Sequence, residues 1–321
     1  MKQIPVTLVT GFLGAGKTTL LNRVLETNTS RRFAVIENEF GDVGMDGSLV
    51  KPSCEALFEL NDGCVCCSVR EDLIGVFEQL LTRLGEIDHI IIETTGLAEP
   101  APVMRIFDLP QIRAAFVLDG VVTVVDAAHI EASLEDVSAC LEQIVYADML
   151  ILNKVDRVAT DSVETLEAHL RGINPLASIH RAEHAQIDVE SFLQLGRRPH
   201  EDRMGVHLHE EHHGHHHDEA IKPVVIELAG DVDVAALDLW LGKLTRQSES
   251  SLLRMKGVLA VPGDPRRFVF NGVRNVVDVR PDRLWGEEAR FSRIVMIGRK
   301  LQAAALQAGF SSCLAEAPQA G

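Results

Sequence analysis

Basic residues are in short supply in this chain of 321 residues: Lys and Arg number 31 against 47 Asp and Glu, a formal net charge of −16. A chain so acidic repels nucleic acid and anionic membrane surfaces unless a basic patch is gathered somewhere, and the sequence gathers none. No apolar run comes near the roughly 20 residues that cross a bilayer, so no membrane association is expected. The opening stretch MKQIPVTLVTGFLGAGK does not read as a secretory leader, because glycines and a lysine interrupt a short apolar run. Internal repeats are missing as well. Cysteine is sparse, with six in all. The expected home is therefore the reducing cytoplasm, where clustered cysteines bind metals or catalyse rather than pair. Yet half of the cysteines, Cys64, Cys66 and Cys67, crowd into the single stretch ELNDGCVCCSVR.

Apolar residues make up 46% of the chain, enough for a large core and a smaller one. Residues 1–200 alternate apolar runs with amphipathic ones. VTLVT, FAVIE, HIIIE, VVTVVDA and MLILNK read as buried strands, and 17–27, 70–84, 130–145 and 161–172 as helices. Near-continuous apolar strands separated by helices predict an α/β fold, a doubly wound, mostly parallel sheet covered on both faces. Residues 201–222 break the pattern with a low-complexity linker, and eight of the 13 histidines fall between His200 and His217. Residues 223–310 return to globular patterning as a smaller α+β domain, and 311–321 form a frayed tail. Trp240, Trp285 and the scattered phenylalanines read as core. The isolated His89, His129, His169, His180 and His184 read as surface or strand-end positions rather than ligands.

The stretch GFLGAGKT fits the phosphate-binding loop G-x-x-x-x-G-K-[ST] and sits where that loop must sit, after a strand and opening a helix. Gly11, Gly14 and Gly16 let backbone N–H groups wrap a phosphate, with Ala15 and Thr19 completing the cradle and the helix N-terminus adding its dipole. Lys17 reaches the β- and γ-phosphates, and the Thr18 hydroxyl takes Mg²⁺. Asn153, Lys154 and Asp156 form an N-K-x-D at the end of an apolar strand. A carboxylate there accepts from both the N1–H and the N2–H₂ of guanine. Adenine lacks that pair of donors, so GTP is the expected nucleotide. Asn153 is expected to face the O6/N7 edge, and the stem of Lys154 to cover the ring. In IIIETTGLAEP, Glu93 ends another strand and is expected to hold Mg²⁺ through water, while the Gly96 N–H meets the γ-phosphate. Lys17, Thr18 and Glu93 thus form the expected catalytic set.

Adjacent Cys66 and Cys67 make a disulfide a poor reading, and nearby Glu59, Asp62 and Glu71 work against a free thiolate nucleophile. Metal binding suits them better, because soft thiolates select Zn²⁺, Cu⁺ and similar ions over Mg²⁺. In an extended backbone Cys64 and Cys66 point the same way and Cys67 the other. Cys64 and Cys66 are therefore the expected strong ligands and Cys67 a third if the loop bends. A carboxylate of ENEFGD, Glu37 or Asp42, or a water offers a fourth. The His tract reads either as a feeding store for such a site or as a solvated linker.

Taken together, TGFLGAGKTTLLN, VIENEFG, NDGCVCCSVR, IIIETTGLAEP, VDAAH, ILNKVD, LLRMKGVLAV and VMIGRKL resemble the CobW/YjiA class of metal-handling P-loop GTPases, over nearly the whole chain. The resemblance implies an N-terminal GTPase domain of the same broad class as the nickel-insertion GTPases. It also implies a smaller C-terminal domain and a transition metal, Zn²⁺ or Co²⁺ most often, carried to a client metalloprotein. The expected activity is GTP hydrolysis by a metallochaperone, with zinc favoured. The alternatives are a cobalt- or iron-handling GTPase for cofactor-enzyme maturation, or a passive metal store or sensor. The Cys-x-Cys-Cys loop lies between the P-loop and Glu93, where segments ordered by the γ-phosphate sit. That position suggests that GTP·Mg²⁺ assembles the thiolate site and hydrolysis releases the metal.

Overall fold

The structure, a computed structural model, describes residues 3–28, 30–38, 56–60, 68–193, 195, 221–247, 252–274 and 276–315. Cys64, Cys66, Cys67, Asp42 and the His-rich residues 201–220 lie outside them. The chain divides into two compact units, Met1–Leu170 with Ala177–Arg198, and Arg171–Leu176 with Pro199–Gly321.

The first unit is built on a seven-stranded sheet in which every pairing is parallel. Its strands are β1 (Ile4–Thr10), β2 (Phe33–Asn38), β3 (Ala56–Leu60), β4 (His89–Glu93), β5 (Phe116–Asp126), β6 (Met149–Asn153) and β7 (Ser178–Ala182), in the spatial order β3-β2-β4-β1-β5-β6-β7. Central strands are apolar along both faces, as in Val6, Leu8 and Val9 of β1 and Ile90–Ile92 of β4, all almost fully buried. That is what a sheet sandwiched between helices requires. Connecting helices are α1 (Lys17–Thr27), α2 (Ser68–Leu81), α3 (Pro100–Met104), α4 (Pro110–Arg113), α5 (Ile130–Asp136), α6 (Ser138–Tyr146), α7 (Thr160–Ile173) and α8 (Val189–Phe192). Helix α1 buries Leu20, Leu21, Val24 and Leu25, the i, i+4 stripe of a helix lying on a sheet, against Val9, Val35, Val122 and Val124.

The chain's order matters for function. From β1 it crosses over β4 to β2, and it later returns past β1 to β5, so the strand order reverses around β1. In open α/β sheets ligands bind at that reversal, beyond the carboxyl ends of the strands. The P-loop leaves β1 at this point.

Residues 130–145, expected as one helix, form two. Val137 is extended (φ −131°, ψ 108°) and separates α5 from α6. Two short strands escaped the sequence reading, β3 and β7, which are the sheet's two edges. His89 opens β4 as a strand-end residue but is buried, not at the surface: its ring lies 2.8 Å from the Thr7 hydroxyl and against Phe33.

The second unit holds a five-stranded antiparallel sheet of β8 (Ile221–Ala229), β9 (Leu252–Ala260), β10 (Arg266–Val273), β11 (Val276–Leu284) and β12 (Phe291–Arg299), ordered β11-β10-β9-β12-β8. Helices α9 (Val234–Gln247) and α10 (Ala303–Ser311) bring Leu237, Leu241, Leu306 and Phe310 onto one face of it, over Met255, Phe270 and Met296. Trp240 stacks on Phe310 with ring centroids 5.8 Å apart, and Trp285 is buried, so both tryptophans are packing residues. No helix among the described residues is long and apolar enough to cross a membrane.

Candidate functional site

The loop between β1 and α1 is shaped by glycines. Gly11 has φ +137°, and a side chain there would overlap the Val124 carbonyl on β5. Gly16 (φ +109°) is the N-cap of α1, and a Cβ on it would stand 2.5 Å from the Asn153 amide. Only a residue without Cβ adopts these angles cheaply and lets neighbouring strands close in. Lys17 begins α1. It is 8% exposed, and its ammonium donates to the carbonyls of Gly11 (3.0 Å) and Phe12 (3.4 Å), two groups of the loop itself. Burial pushes the Lys17 pKa down, and nearby Glu93 opposes the shift without cancelling it. An ammonium held in a dry cradle by two carbonyls is short of negative charge, which a phosphate supplies.

Thr18 follows, and its hydroxyl donates to Glu93 Oε1 at 3.1 Å. This links the first turn of α1 to the end of β4. The pair gives a hard, all-oxygen donor set, one hydroxyl and one carboxylate, at the mouth of the phosphate cradle, and those residues fit a magnesium ion. Glu37, at the end of β2, is buried and stands directly beside Glu93 in the β2–β4 register. Strand β3 pairs with β2 through Asn38↔Leu60, so it ends on the same edge. The cysteine segment leaves Leu60 there and re-enters the described chain at Ser68, the first residue of α2. Among the described residues no three His, Cys, Asp or Glu converge as a metal site.

Beyond Glu93 the chain turns over Thr95–Ala98, closed by an Ala98 N–H bond to Thr95 O of 3.1 Å. Gly96 lies against the P-loop, where a Cβ would come within 2.6 Å of the Leu13 nitrogen. The amide end of this turn and the P-loop are thus immediate neighbours.

In the Asn153–Asp156 segment, Asn153 also has partners within the protein. Both polar atoms of Asn153 are engaged inside the protein: its amide nitrogen donates to Ala15 O (2.9 Å), and its oxygen accepts from Ala185 N–H (2.8 Å). An amide NH₂ carries two donors, and the bond to Ala15 uses one of them. Asn153 ties the P-loop to the turn after β7, where His184 and Ala185 take left-handed backbone angles (φ 49° and 56°). Lys154 also takes a left-handed angle (φ 62°), and its ammonium bonds Asp126 Oδ2 at 2.7 Å, which fixes the direction of its stem. Asp156 follows, exposed, in a short 3₁₀ turn.

Asp126 is a site residue that the motif reading passed over. Burial raises its carboxyl pKa, but hydrogen bonds from Lys154, His129 and the Ala128 N–H outweigh this and leave it below the ordinary carboxylate value. The signal was present in VDAAH, an acid ending an apolar strand. Replacing Asn153 by alanine would strand the buried Ala15 carbonyl and Ala185 N–H together. Two such orphans at about 1–3 kcal/mol each lower the unfolding free energy by roughly 2–6 kcal/mol. Denaturant titration of Asn153→Ala reads this loss directly, and an unchanged midpoint would show that Asn153 is no brace.

A cavity of about 270 Å³ lies behind the P-loop, bordered by Phe12, Leu13, Thr123, Cys140 and Gln143 among others. The Cys140 thiol is buried and its pKa pushed up to about 11, so it is no nucleophile.

Residues 5–181 match the model of the CobW/HypB/UreG nucleotide-binding domain, and residues 221–314 that of the cobalamin synthesis protein CobW C-terminal domain. The chain is 38% identical to the zinc chaperone CobW of Pseudomonas aeruginosa, over 98% of this chain and 92% of that one. It is 34% identical to the zinc chaperone YjiA of Escherichia coli, over 97% and 99%. The crystal structure of the Zn(II)-bound YjiA GTPase from E. coli matches with a TM-score of 0.73 at 30% identity, covering 98% of this chain and all of that one.

Proposed function

The chain belongs to the CobW/HypB/UreG family of nucleotide-binding proteins and carries a CobW-type C-terminal domain, and from that premise we propose that it is a GTP-hydrolysing zinc chaperone. It holds zinc at the Cys-x-Cys-Cys segment while GTP is bound and hands the metal to a client metalloprotein after hydrolysis. The observation that carries this reading is the continuity of one sheet edge. Lys17, the Thr18–Glu93 pair and Gly96 stand at the ends of β1 and β4, and the cysteine segment is anchored between the ends of β3 and α2, with Glu37 beside Glu93. Near relatives named as zinc chaperones support the choice of metal.

In this mechanism the P-loop N–H groups and Lys17 bind the β- and γ-phosphates. The Gly11 and Phe12 carbonyls hold the Lys17 ammonium ready before GTP arrives. Thr18 and Glu93 would hold the magnesium ion, which neutralises charge on the phosphate oxygens when bound. The Gly96 N–H meets the γ-phosphate, so the turn carrying it differs between GTP and GDP states. Asp156 selects guanine. Cys64 and Cys66 supply the thiolates for zinc, with Cys67 and a carboxylate, Glu37 or Asp42, completing four ligands. A reducing cytoplasm keeps those thiols free.

Competitive zinc titration of the full chain with a non-hydrolysable GTP analogue, with GDP and without nucleotide tests the reading. Zinc held no more tightly in the GTP state removes the chaperone cycle and leaves a metal-binding GTPase. The His tract is assigned a feeding role only. Deleting residues 207–217 is therefore expected to lower total zinc stoichiometry while leaving one tight site and GTP turnover intact. Loss of the tight site on deletion would instead make these histidines its ligands.

A further inference from the structure

The turn that carries Gly96 is gripped from behind. Gln143 projects from α6 and is 1% exposed. Its amide nitrogen donates to two carbonyls of the turn, Gly96 O and Ala98 O, each at 3.1 Å. The residue is itself held, because the Thr123 hydroxyl on β5 donates to the Gln143 main-chain oxygen at 2.7 Å. That carbonyl is one of the last four of α6, which have no partner within the helix.

The chain thus runs without a gap from β5 through α6 to the segment that meets the γ-phosphate. Gln143 also lines the cavity that borders Phe12 and Leu13 of the P-loop. The turn itself lies close against that loop, since a Cβ on Gly96 would come within 2.6 Å of the Leu13 nitrogen. A carbonyl held by a donor cannot rotate freely, so both bonds restrain the peptide planes on which the Gly96 N–H direction depends.

We propose that Gln143 is a positioning residue for GTP hydrolysis, holding the Gly96–Ala98 turn at the distance from the P-loop that the γ-phosphate requires. The inference rests on the GTPase reading and adds to it a residue that no nucleotide motif contains. Gln143 acts through Gly96 and does not touch the nucleotide. Its removal falls on the step that needs the γ-phosphate aligned and spares the contacts that GDP also makes. Misplacement of about 1 Å costs up to 10²-fold in rate, so a tenfold loss is the expected scale.

Gln143→Met keeps length and lacks the N–H donors. In the full-length protein, kcat for GTP is expected to fall about tenfold, with GDP affinity within twofold of wild type. Affinity for a non-hydrolysable GTP analogue relative to GDP falls several-fold. Gln143→Glu adds a signature that a purely structural residue lacks. The ionised carboxylate repels both carbonyls, while the protonated acid donates to one, so its kcat recovers as the pH is lowered through the raised pKa of that buried acid. Thr123→Val, which frees only the Gln143 backbone, gives a smaller loss in the same direction and decides the matter should Gln143→Met not fold. The proposal is overturned if Gln143→Met lowers the melting temperature but keeps wild-type kcat and analogue-to-GDP preference, or if GTP and GDP affinities fall together. Wild-type protein that binds guanine nucleotides without turning over GTP removes the GTPase reading, and the analogue-to-GDP ratio still judges Gln143.

Discussion

Asp156→Asn is expected to lower GTP affinity by about 10²- to 10³-fold and to raise affinity for xanthosine triphosphate above that for GTP. The aspartate follows Lys154, whose left-handed backbone (φ 62°) swings the next residues outward into a short 3₁₀ turn and leaves the carboxylate exposed. Guanine offers N1–H and N2–H₂ to that carboxylate, and a hydrogen bond to a charged group contributes roughly 1.5–3 kcal/mol. Asparagine keeps an acceptor for N1–H but sets its own amino group against N2–H₂, so one bond is lost and two donors collide. At 1.4 kcal/mol per decade the loss reaches the stated range. Xanthine carries a carbonyl at that position, which accepts from the new amide. The Lys154–Asp126 bond of 2.7 Å is untouched by the change, so the pocket wall stays in place. Fluorescent-nucleotide competition against GTP, ATP and xanthosine triphosphate measures all three affinities. Wild-type protein that takes ATP as readily as GTP would sink the assignment.

Zinc affinity is expected to be tenfold to several hundredfold higher, about 10²-fold at the centre, with a non-hydrolysable GTP analogue than with GDP. Ordering a residue costs roughly 1–2 kcal/mol, so a nucleotide that has already ordered two residues of the cysteine segment spares the metal a few kcal/mol. By linkage zinc tightens the GTP analogue by the same factor, so each titration checks the other. Cys66→Ala should erase the difference and leave nucleotide binding near normal, since Lys17, Thr18 and Asp156 are unaltered. Cobalt provides an optical readout through thiolate charge-transfer bands. Equal affinities in the two nucleotide states, or a difference that survives Cys66→Ala, would show that the cysteines are not gated by the γ-phosphate.

The sheet's interior was legible in the sequence because its central strands are apolar on both faces, a pattern hard to mistake. The edges were not. Strand β3, strand β7 with its half-exposed SIHRA, and strand β11 with Pro281 in the middle of it all lie at the margin of a sheet, where one unpaired side tolerates polar residues and a missing N–H. The break at Val137 was hidden because the residues on both sides keep helical amphipathicity, and only the backbone angle shows it.

At the site, the phosphate loop and Thr18 follow a spacing fixed by local chemistry, a strand, a glycine turn and a helix start, and Glu93 stood out as an acid ending an apolar strand. The amide of Asn153 joins Ala15 to Ala185, 138 and 32 residues away, a brace that the motif does not show. Gln143 depends likewise on partners remote in sequence, Gly96 and Ala98. Contacts of that kind leave no local spacing to recognise.

Strand β3 has a consequence for delivery. Among the described strands it is outermost and is laddered to β2 alone, through Ala34–Asn38. In the proposed cycle a metal-holding segment that follows β3 would move with that strand by breaking a single ladder, while the interior strands β1, which leads into the P-loop, and β6, which ends at Asn153, would keep theirs. On that reading the metal would be offered to a client without loosening the hold on the spent nucleotide, and unloading would not wait for exchange.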